Sequence, residues 1–343
     1  MSENTKNYST LCSKIGFAML IFYAAFTLSM FGIAFLGSFL EEIAPIFISD
    51  VIVESLSAIA YFLSFSGAAF ILCRMVKELP TSRRIYTAFK PTFTVVCLIF
   101  AIIAVNFTLA YLNNVMISSL SPAYATELES STDMEGRSVF EIMVFFVISI
   151  ISTAVVPAIC EEYLFRGAIL TNLLPYGKAT AIFGSAILFG LMHQNPFQLL
   201  YTTLMGVVIG YVYVKTKSIW ICMIIHFANN LTTVIEEYIP LLTNCEWITI
   251  LMDFFIMIIG ALALLYIVLK RDKEPMPEEN GSFGVLYEQG MDVEECELEL
   301  TQEKKVKHFF SSTVAIFAAI SLFSMAQVIL SMFDISFSIF SFL

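Results

Sequence analysis

Long apolar stretches alternate with short polar segments along most of the chain. A helix needs about 20 apolar residues to cross a bilayer core of about 30 Å. Stretches that approach or exceed this length cover residues 15–38, 51–73, 92–113, 139–160, 179–194, 197–214, 218–235, 247–269 and 309–330. The pattern therefore predicts an all-α fold, a polytopic transmembrane helix bundle of about eight to nine spans.

The fifth and sixth stretches are short and flank the sequence HQNPF, in which Pro196 can begin a helix. Irregular backbone at membrane depth is tolerated only where protein or a water-filled cavity covers it. We therefore expect the fifth to seventh spans to lie at the centre of the bundle.

Composition supports a membrane protein and excludes several other classes. The chain is 58% hydrophobic and 14% charged, whereas an average soluble domain is about 25% charged. It carries no basic stripe, which argues against a nucleic-acid partner. The seven cysteines lie mostly in apolar runs and include no CxxC pair, which favours buried thiols over disulfides. No small-residue cleavage site ends the first apolar run, so we interpret it as a transmembrane helix rather than a signal peptide.

The distribution of cations predicts an orientation. With a cytoplasmic N-terminus and nine alternating spans, Arg137 is the only one of the 18 lysines and arginines on the outer side. This asymmetry follows the positive-inside rule. We predict a multi-pass membrane protein with the N-terminus in the cytoplasm, and the Lys- and Phe-rich, Cys-poor composition is compatible with a bacterial cell membrane.

The same alternation divides the chain into five parts. Net charge is -11, and much of the acid lies between Asp272 and Glu303, as expected of a solvated segment. The predicted parts are N-terminal spans one to three (1–114), an acidic outer loop (115–138), a transmembrane core that holds the candidate catalytic residues named below (139–269), an acidic cytoplasmic segment (270–307) and a C-terminal span (308–343). The pattern assigns no role to the acidic segment or to the last span.

A few polar side chains interrupt the apolar region. A charge at the centre of a bilayer costs at least ~2.5–3.5 kcal/mol, so such residues are functional candidates. His308, beside Lys307, is interpreted as an interfacial anchor, and Asp253 and Glu141 lie near predicted interfaces without an assigned role. The remaining candidates are Glu161, Glu162, Arg166, His193, His226, Asn229 and Asn230.

Helical spacing separates the two adjacent glutamates. Glu162 and Arg166 are four residues apart, the separation at which opposite charges face each other on a helix. Glu161 is offset by about 100° around the helix axis, so its carboxylate is free to face elsewhere. The spacing predicts one carboxylate held by arginine and one available for chemistry.

His226 and Asn230 are also four residues apart, and His193 comes from another helix. With Glu161 as general base, one histidine could orient a water molecule or serve the leaving group. The other histidine and Asn230 could donate hydrogen bonds to an oxyanion. Alternatively, Glu161, His193 and His226 could bind a divalent metal such as zinc. Structural readings stay open too, because such residues also form packing ion pairs, buried core histidines and helix–helix hydrogen bonds.

Three short motifs resemble one known family. EEYLFRG at 161–167, FGLMH at 189–193 and HFANN at 226–230 resemble, in order and spacing, the EExxxR, FxxxH and HxxxN motifs of the CPBP intramembrane proteases, the CAAX-protease and bacteriocin-processing (Abi) family. The loop KTKSIW also resembles the segment that this family places before its second histidine. The resemblance covers about residues 155–235.

The resemblance implies an intramembrane endopeptidase. It implies Glu161 as the catalytic carboxylate, Glu162 and Arg166 as its supporting pair, and His193, His226 and Asn230 as the other site residues. It also implies a water-accessible cavity near the cytoplasmic face, and peptide or membrane-protein substrates that are often prenylated in eukaryotic members. It leaves open a metal-dependent or a metal-independent, glutamate-based reaction. HExxH, GxSxG and GxGD motifs are missing.

Two other functions fit the same residues. The protein could be a catalytically silent immunity or scaffold protein that binds a peptide in the same cavity. It could also be a proton-coupled transporter that uses Glu161 and the histidines.

Overall fold

The computed structural model describes residues 3–76, 92–120, 134, 136–245, 247–270, 301–310 and 313–331. These residues form ten helices. They are α1 (Glu3–Ile43), α2 (Ile46–Met75), α3 (Phe93–Leu120), α4 (Val139–Tyr176), α5 (Lys178–Met192), α6 (Pro196–Thr216), α7 (Ile219–Thr243), α8 (Trp247–Lys270), α9 (Gln302–Phe310) and α10 (Thr313–Ser331).

Eight of these helices are long and apolar enough to cross a membrane: all except α5 and α9. The fifth predicted span corresponds to α5, which has only 15 residues. The prediction of an all-helical, multi-pass membrane protein is therefore confirmed. The orientation and the division into five parts stay predictions, and most of the two acidic segments lies outside the described residues.

Several predicted boundaries were wrong. The fourth span does not end at 160, because α4 covers 38 residues and continues to Tyr176, with Glu161 in its interior. Charged residues did not end this helix, since partners within the bundle compensate them. The last span begins at Thr313, and His308 lies on the separate helix α9.

Other helices extend beyond the predicted apolar stretches. The helix α1 begins at 3 rather than 15, α3 ends at 120 rather than 113, and α7 ends at 243 rather than 235. The sixth span, which was predicted to be short, is α6 with 21 residues and is long enough to cross a membrane.

Local sequence explains both the start of α4 and its irregular turns. The Ser138 hydroxyl accepts a hydrogen bond from the Glu141 N–H, and the Glu141 carboxylate accepts from the Ser138 N–H, which forms a capping box. Further along, Pro157 has no N–H to donate to the carbonyl four residues before it. The preceding segment, Ile150–Val155, is π-helical. A second π-helical segment covers Tyr163–Leu170, so an ordinary α-helical turn with Glu161 and Glu162 lies between two widened ones.

Small residues allow the closest helix contacts. A Cβ atom on Gly190 of α5 would lie 2.0 Å from the Thr203 hydroxyl oxygen of α6, so these two helices form a tight hairpin. A Cβ atom on Gly16 of α1 would lie 2.2 Å from the Val314 nitrogen of α10. Close backbone approach at small residues is typical of membrane helix packing. The main core lies among α1, α2, α4, α5, α6, α7 and α10 and surrounds the site described next.

Candidate active site between four helices

The charged motif of α4 lies inside the protein. The exposed fractions of Glu161, Glu162 and Arg166 are 3%, 0% and 1%. Charges this deeply buried persist only when other groups pair with them. The contacts of each side chain therefore decide what the motif can do.

Glu162 is held by two donors. Its Oε1 atom lies 2.7 Å from Arg166 Nη1 and 2.8 Å from His226 Nδ1 on α7. The ion pair that the spacing predicted is thus present, and it also includes a histidine from another helix. An ionised carboxylate can only accept hydrogen bonds, so the Nδ1 atom of His226 carries the proton. Glu162 consequently fixes the orientation of the His226 ring.

Arg166 connects this pair to α5 and α6. Its Nη2 atom donates to the Gly206 carbonyl at 3.3 Å, and its guanidinium lies 4.7 Å from the centre of the Phe189 ring. Gly206 permits the close approach of α6 to α5, because a Cβ atom there would lie 3.0 Å from Ala186 Cα. A hydrogen bond and a cation–π contact together compensate the cation.

Glu161 faces away from Arg166, as its offset predicted. Its Oε1 atom accepts a hydrogen bond from the Tyr61 hydroxyl on α2. Its Oε2 atom is buried, lies 3.9 Å from His226 Nε2, and has no hydrogen-bond partner among the described residues. The site therefore has one carboxylate oxygen that is available and directed toward an imidazole.

His193 lies at the end of α5 and is partly buried. Its Nδ1 atom is 2.8 Å from the Phe189 carbonyl oxygen, and its ring centre is 5.1 Å from that of Phe189. This contact confirms that Phe189 packs one turn below His193. The Phe189 ring also lies 6.0 Å from the His226 ring. The Phe189 ring thus lies next to both imidazoles, those of His193 and His226.

Asn230 lies one turn beyond His226 on α7. Its amide nitrogen donates to the Thr153 carbonyl of α4 at 2.9 Å, and its Oδ1 atom accepts from Asn229 at 3.2 Å. Pro157 has no N–H that could donate to the Thr153 carbonyl, so this carbonyl accepts the hydrogen bond from Asn230 instead. One amide proton of Asn230 therefore connects α7 to α4, and the second is the one that an oxyanion could use.

The metal alternative receives no geometric support from this part of the chain. Within the described residues, no three His, Cys, Asp or Glu side chains are arranged to hold a metal ion. Glu161 and His226 approach each other, but His193 does not complete such a set with them. The predicted set of Glu161, His193 and His226 therefore does not fit a metal in this arrangement, and metal use stays a prediction.

A pocket of about 670 Å³ adjoins the site. One wall consists of large apolar side chains on one face of α1, and the other side carries Tyr61 and His193. The α1 residues include Phe22, Tyr23, Phe26, Met30 and Phe31.

Sequence reasoning missed Tyr61. The residue lies in the apolar run SAIAYFLSF, where nothing separates it from an ordinary core aromatic. It is 100 residues from Glu161, and no spacing rule connects α2 to α4.

Comparison with known proteins now adds to this geometry. Residues 143–232 match the family model described as "Type II CAAX prenyl endopeptidase Rce1-like". The chain is also 30% identical over 113 residues to "Putative membrane peptidase YdiL" of Bacillus subtilis (strain 168). That alignment covers 32% of this chain and 46% of the relative, so it spans less than half of that protein. No solved structure matches the chain.

Proposed function

We propose that this multi-pass membrane protein is an intramembrane endopeptidase, because residues 143–232 match the model of the Rce1-like type II CAAX prenyl endopeptidases. Glu161 is the general base that activates a water molecule. The substrates of the enzyme are peptides or membrane proteins.

One observation carries this proposal: the unpaired Oε2 atom of Glu161 beside His226. A buried acceptor without a hydrogen bond costs about 1–3 kcal/mol, and more when it is charged. A water molecule would satisfy this oxygen, and the water would then lie where a base is needed. The Oε2 atom of Glu162 also lacks a partner among the described residues, but its Oε1 atom is already paired with Arg166 and His226. Glu161 is therefore the better candidate for the base.

The reaction follows from the contacts of each group. Glu161 takes a proton from the water, and the hydroxide attacks the carbonyl carbon of the scissile bond. The Nδ1 atom of His193 faces the Phe189 carbonyl oxygen, so the proton of the neutral imidazole lies on Nδ1. The Nε2 atom can then accept a hydrogen bond from the O–H of the water that is not cleaved. Glu161 then gives its proton to the leaving amine as the C–N bond breaks.

His226 and Asn230 are the candidates for stabilising the oxyanion. To donate from Nε2, His226 must hold a second proton, and the negative charge of Glu162 beside Nδ1 stabilises that cationic ring. The second amide proton of Asn230 is the other available donor. Removing one oxyanion donor typically costs about 10²–10³ in rate.

The surroundings support an apolar substrate segment. The pocket wall on α1 is aromatic and adjoins Tyr61 and His193. The assay therefore includes substrate segments with and without a lipid. The predicted cytoplasmic opening of the cavity is part of this proposal.

The test is peptide cleavage by purified protein in lipid nanodiscs. Internally quenched apolar peptides are assayed in two matched sets, with and without a farnesylated cysteine. Glu161→Gln should lower cleavage by about 10²–10⁴-fold, because a general base contributes this much. Glu41→Gln, an exposed position at the end of α1, is the matched control and should cleave like the wild type.

A chelator arm separates the two forms of the mechanism. Cleavage that continues in 1,10-phenanthroline supports the metal-independent reaction, whereas a loss that added zinc restores supports the metal alternative. The proposal fails if Glu161→Gln cleaves as fast as the wild type. If the wild type binds the peptides without cutting them, the silent-scaffold alternative holds instead. If the wild type cleaves the peptides, crosslinking in cells to the Glu161→Gln variant, which binds but does not cut, identifies the physiological substrate.

A further inference from the structure

Tyr61 lies between the aromatic pocket and the candidate catalytic carboxylate. Its hydroxyl donates to Glu161 Oε1, and its ring forms part of the pocket wall. The ring is packed between two phenylalanines, 4.6 Å from the centre of Phe65 and 5.6 Å from that of Phe26. Tyr61 is therefore held by its ring and bonded through its hydroxyl.

The hydroxyl bond matters because a glutamate carboxylate turns easily. Its terminal torsion has a broad, roughly twofold energy profile, so packing alone does not decide where each oxygen points. Glu161 Oε1 is anchored by Tyr61, and this leaves Oε2 directed at His226 Nε2. Without the hydrogen bond from the Tyr61 hydroxyl, the Glu161 carboxylate could rotate, and neither of its oxygens would be fixed toward His226.

We propose that Tyr61 is a positioning residue that fixes the Glu161 carboxylate so that Oε2 faces His226. The same ring lines the pocket, so an apolar substrate group bound there packs against the residue that orients the base. The consequence for catalysis rests on the proposed function. The orientation of the carboxylate does not, and it can be measured without substrate.

The kinetic test removes the hydroxyl and keeps the ring. Tyr61→Phe retains the contacts with Phe26 and Phe65, so the fold should be preserved. Its kcat should fall about 10- to 100-fold, as expected for loss of a hydrogen bond to a charged group, while KM changes less than about twofold. Tyr111→Phe is the matched control, because Tyr111 is an exposed tyrosine on α3 that lines neither the site nor the pocket. It should leave both constants unchanged.

A vibrational measurement tests the orientation without activity. Infrared difference spectra between the wild type and Glu161→Gln isolate the carboxylate stretching bands of Glu161. The same difference in the Tyr61→Phe background should show shifted bands, because a carboxylate that has lost a donor vibrates at another frequency. Tyr111→Phe should leave the bands in place.

The outcomes separate the two proposals. Unshifted bands in Tyr61→Phe would overturn the positioning role, and so would a kcat equal to that of the wild type. An equal kcat loss in Tyr111→Phe would show that the effect is not specific to the hydroxyl beside Glu161 and would also overturn the positioning role. If the bands shift but the wild type cleaves no peptide, the proposed function fails and the fixed orientation stands.

Discussion

Two pairs of neighbouring carboxyl groups on the helices of this protein can be compared, and they differ in the groups that compensate their burial. Glu161 and Glu162 on α4 are almost fully buried, and Arg166 and His226 contact them. Glu236 on α7 and Asp253 on α8 are partly buried and hydrogen-bond to each other. In the part of the chain that the structure describes, the second pair forms no ion pair.

The difference shows two ways in which a membrane protein can bury a pair of carboxyl groups. Two carboxyl groups that share a hydrogen bond need a proton between them, because an ionised carboxylate has nothing to donate. On α4 the Arg166 cation pairs with Glu162 instead, so Glu162 needs no proton shared with Glu161. Each pair has a buried oxygen without a hydrogen-bond partner, but the one on Glu161 lies beside an imidazole, 3.9 Å from His226 Nε2.

The largest effect on stability should come from removing the buried cation. Arg166→Leu leaves the charge of Glu162 uncompensated, and breaking a buried pair costs about 3–5 kcal/mol. Arg137→Leu breaks the Arg137–Asp50 pair, whose side chains are 18% and 33% exposed. It should cost about 1 kcal/mol or less. Unfolding by denaturant in detergent micelles measures both, and equal losses would contradict the compensating role of Arg166.

An intermediate effect separates stability from chemistry. The double variant Glu162→Leu/Arg166→Met removes both charges and should recover most of the stability lost in Arg166→Leu, since apolar replacement of a buried pair is often neutral. Cleavage should stay about 10–100-fold below wild type, because His226 loses the carboxylate that orients its ring. Stability and cleavage are measured on the same preparation. Full recovery of cleavage would show that Glu162 serves packing alone.

The smallest effect should follow a change in the second pair. In Glu236→Gln an amide replaces the carboxyl group and can donate to Asp253 without a shared proton. Stability should change by about 1 kcal/mol or less, and peptide cleavage should stay within about twofold of wild type. A loss comparable to that of Glu161→Gln would mean that Glu236 and Asp253 belong to the catalytic site.

The sequence by itself determined the local features of this protein. Apolar length is a property of one segment, so the spanning helices could be predicted, although the ends of several were wrong. The Glu162–Arg166 pair and the packing of Phe189 below His193 connect residues four apart on one helix. Helical geometry fixes such contacts wherever the helix lies.

Only the tertiary structure decided which helices meet. The bonds from Tyr61 to Glu161, from His226 to Glu162 and from Asn230 to the Thr153 carbonyl each join different helices. The continuation of α4 through its charged turn also depended on partners from α6 and α7. A charged stretch ends a helix in lipid unless neighbours compensate it, and those neighbours are brought together by packing at small residues such as Gly190 and Gly206.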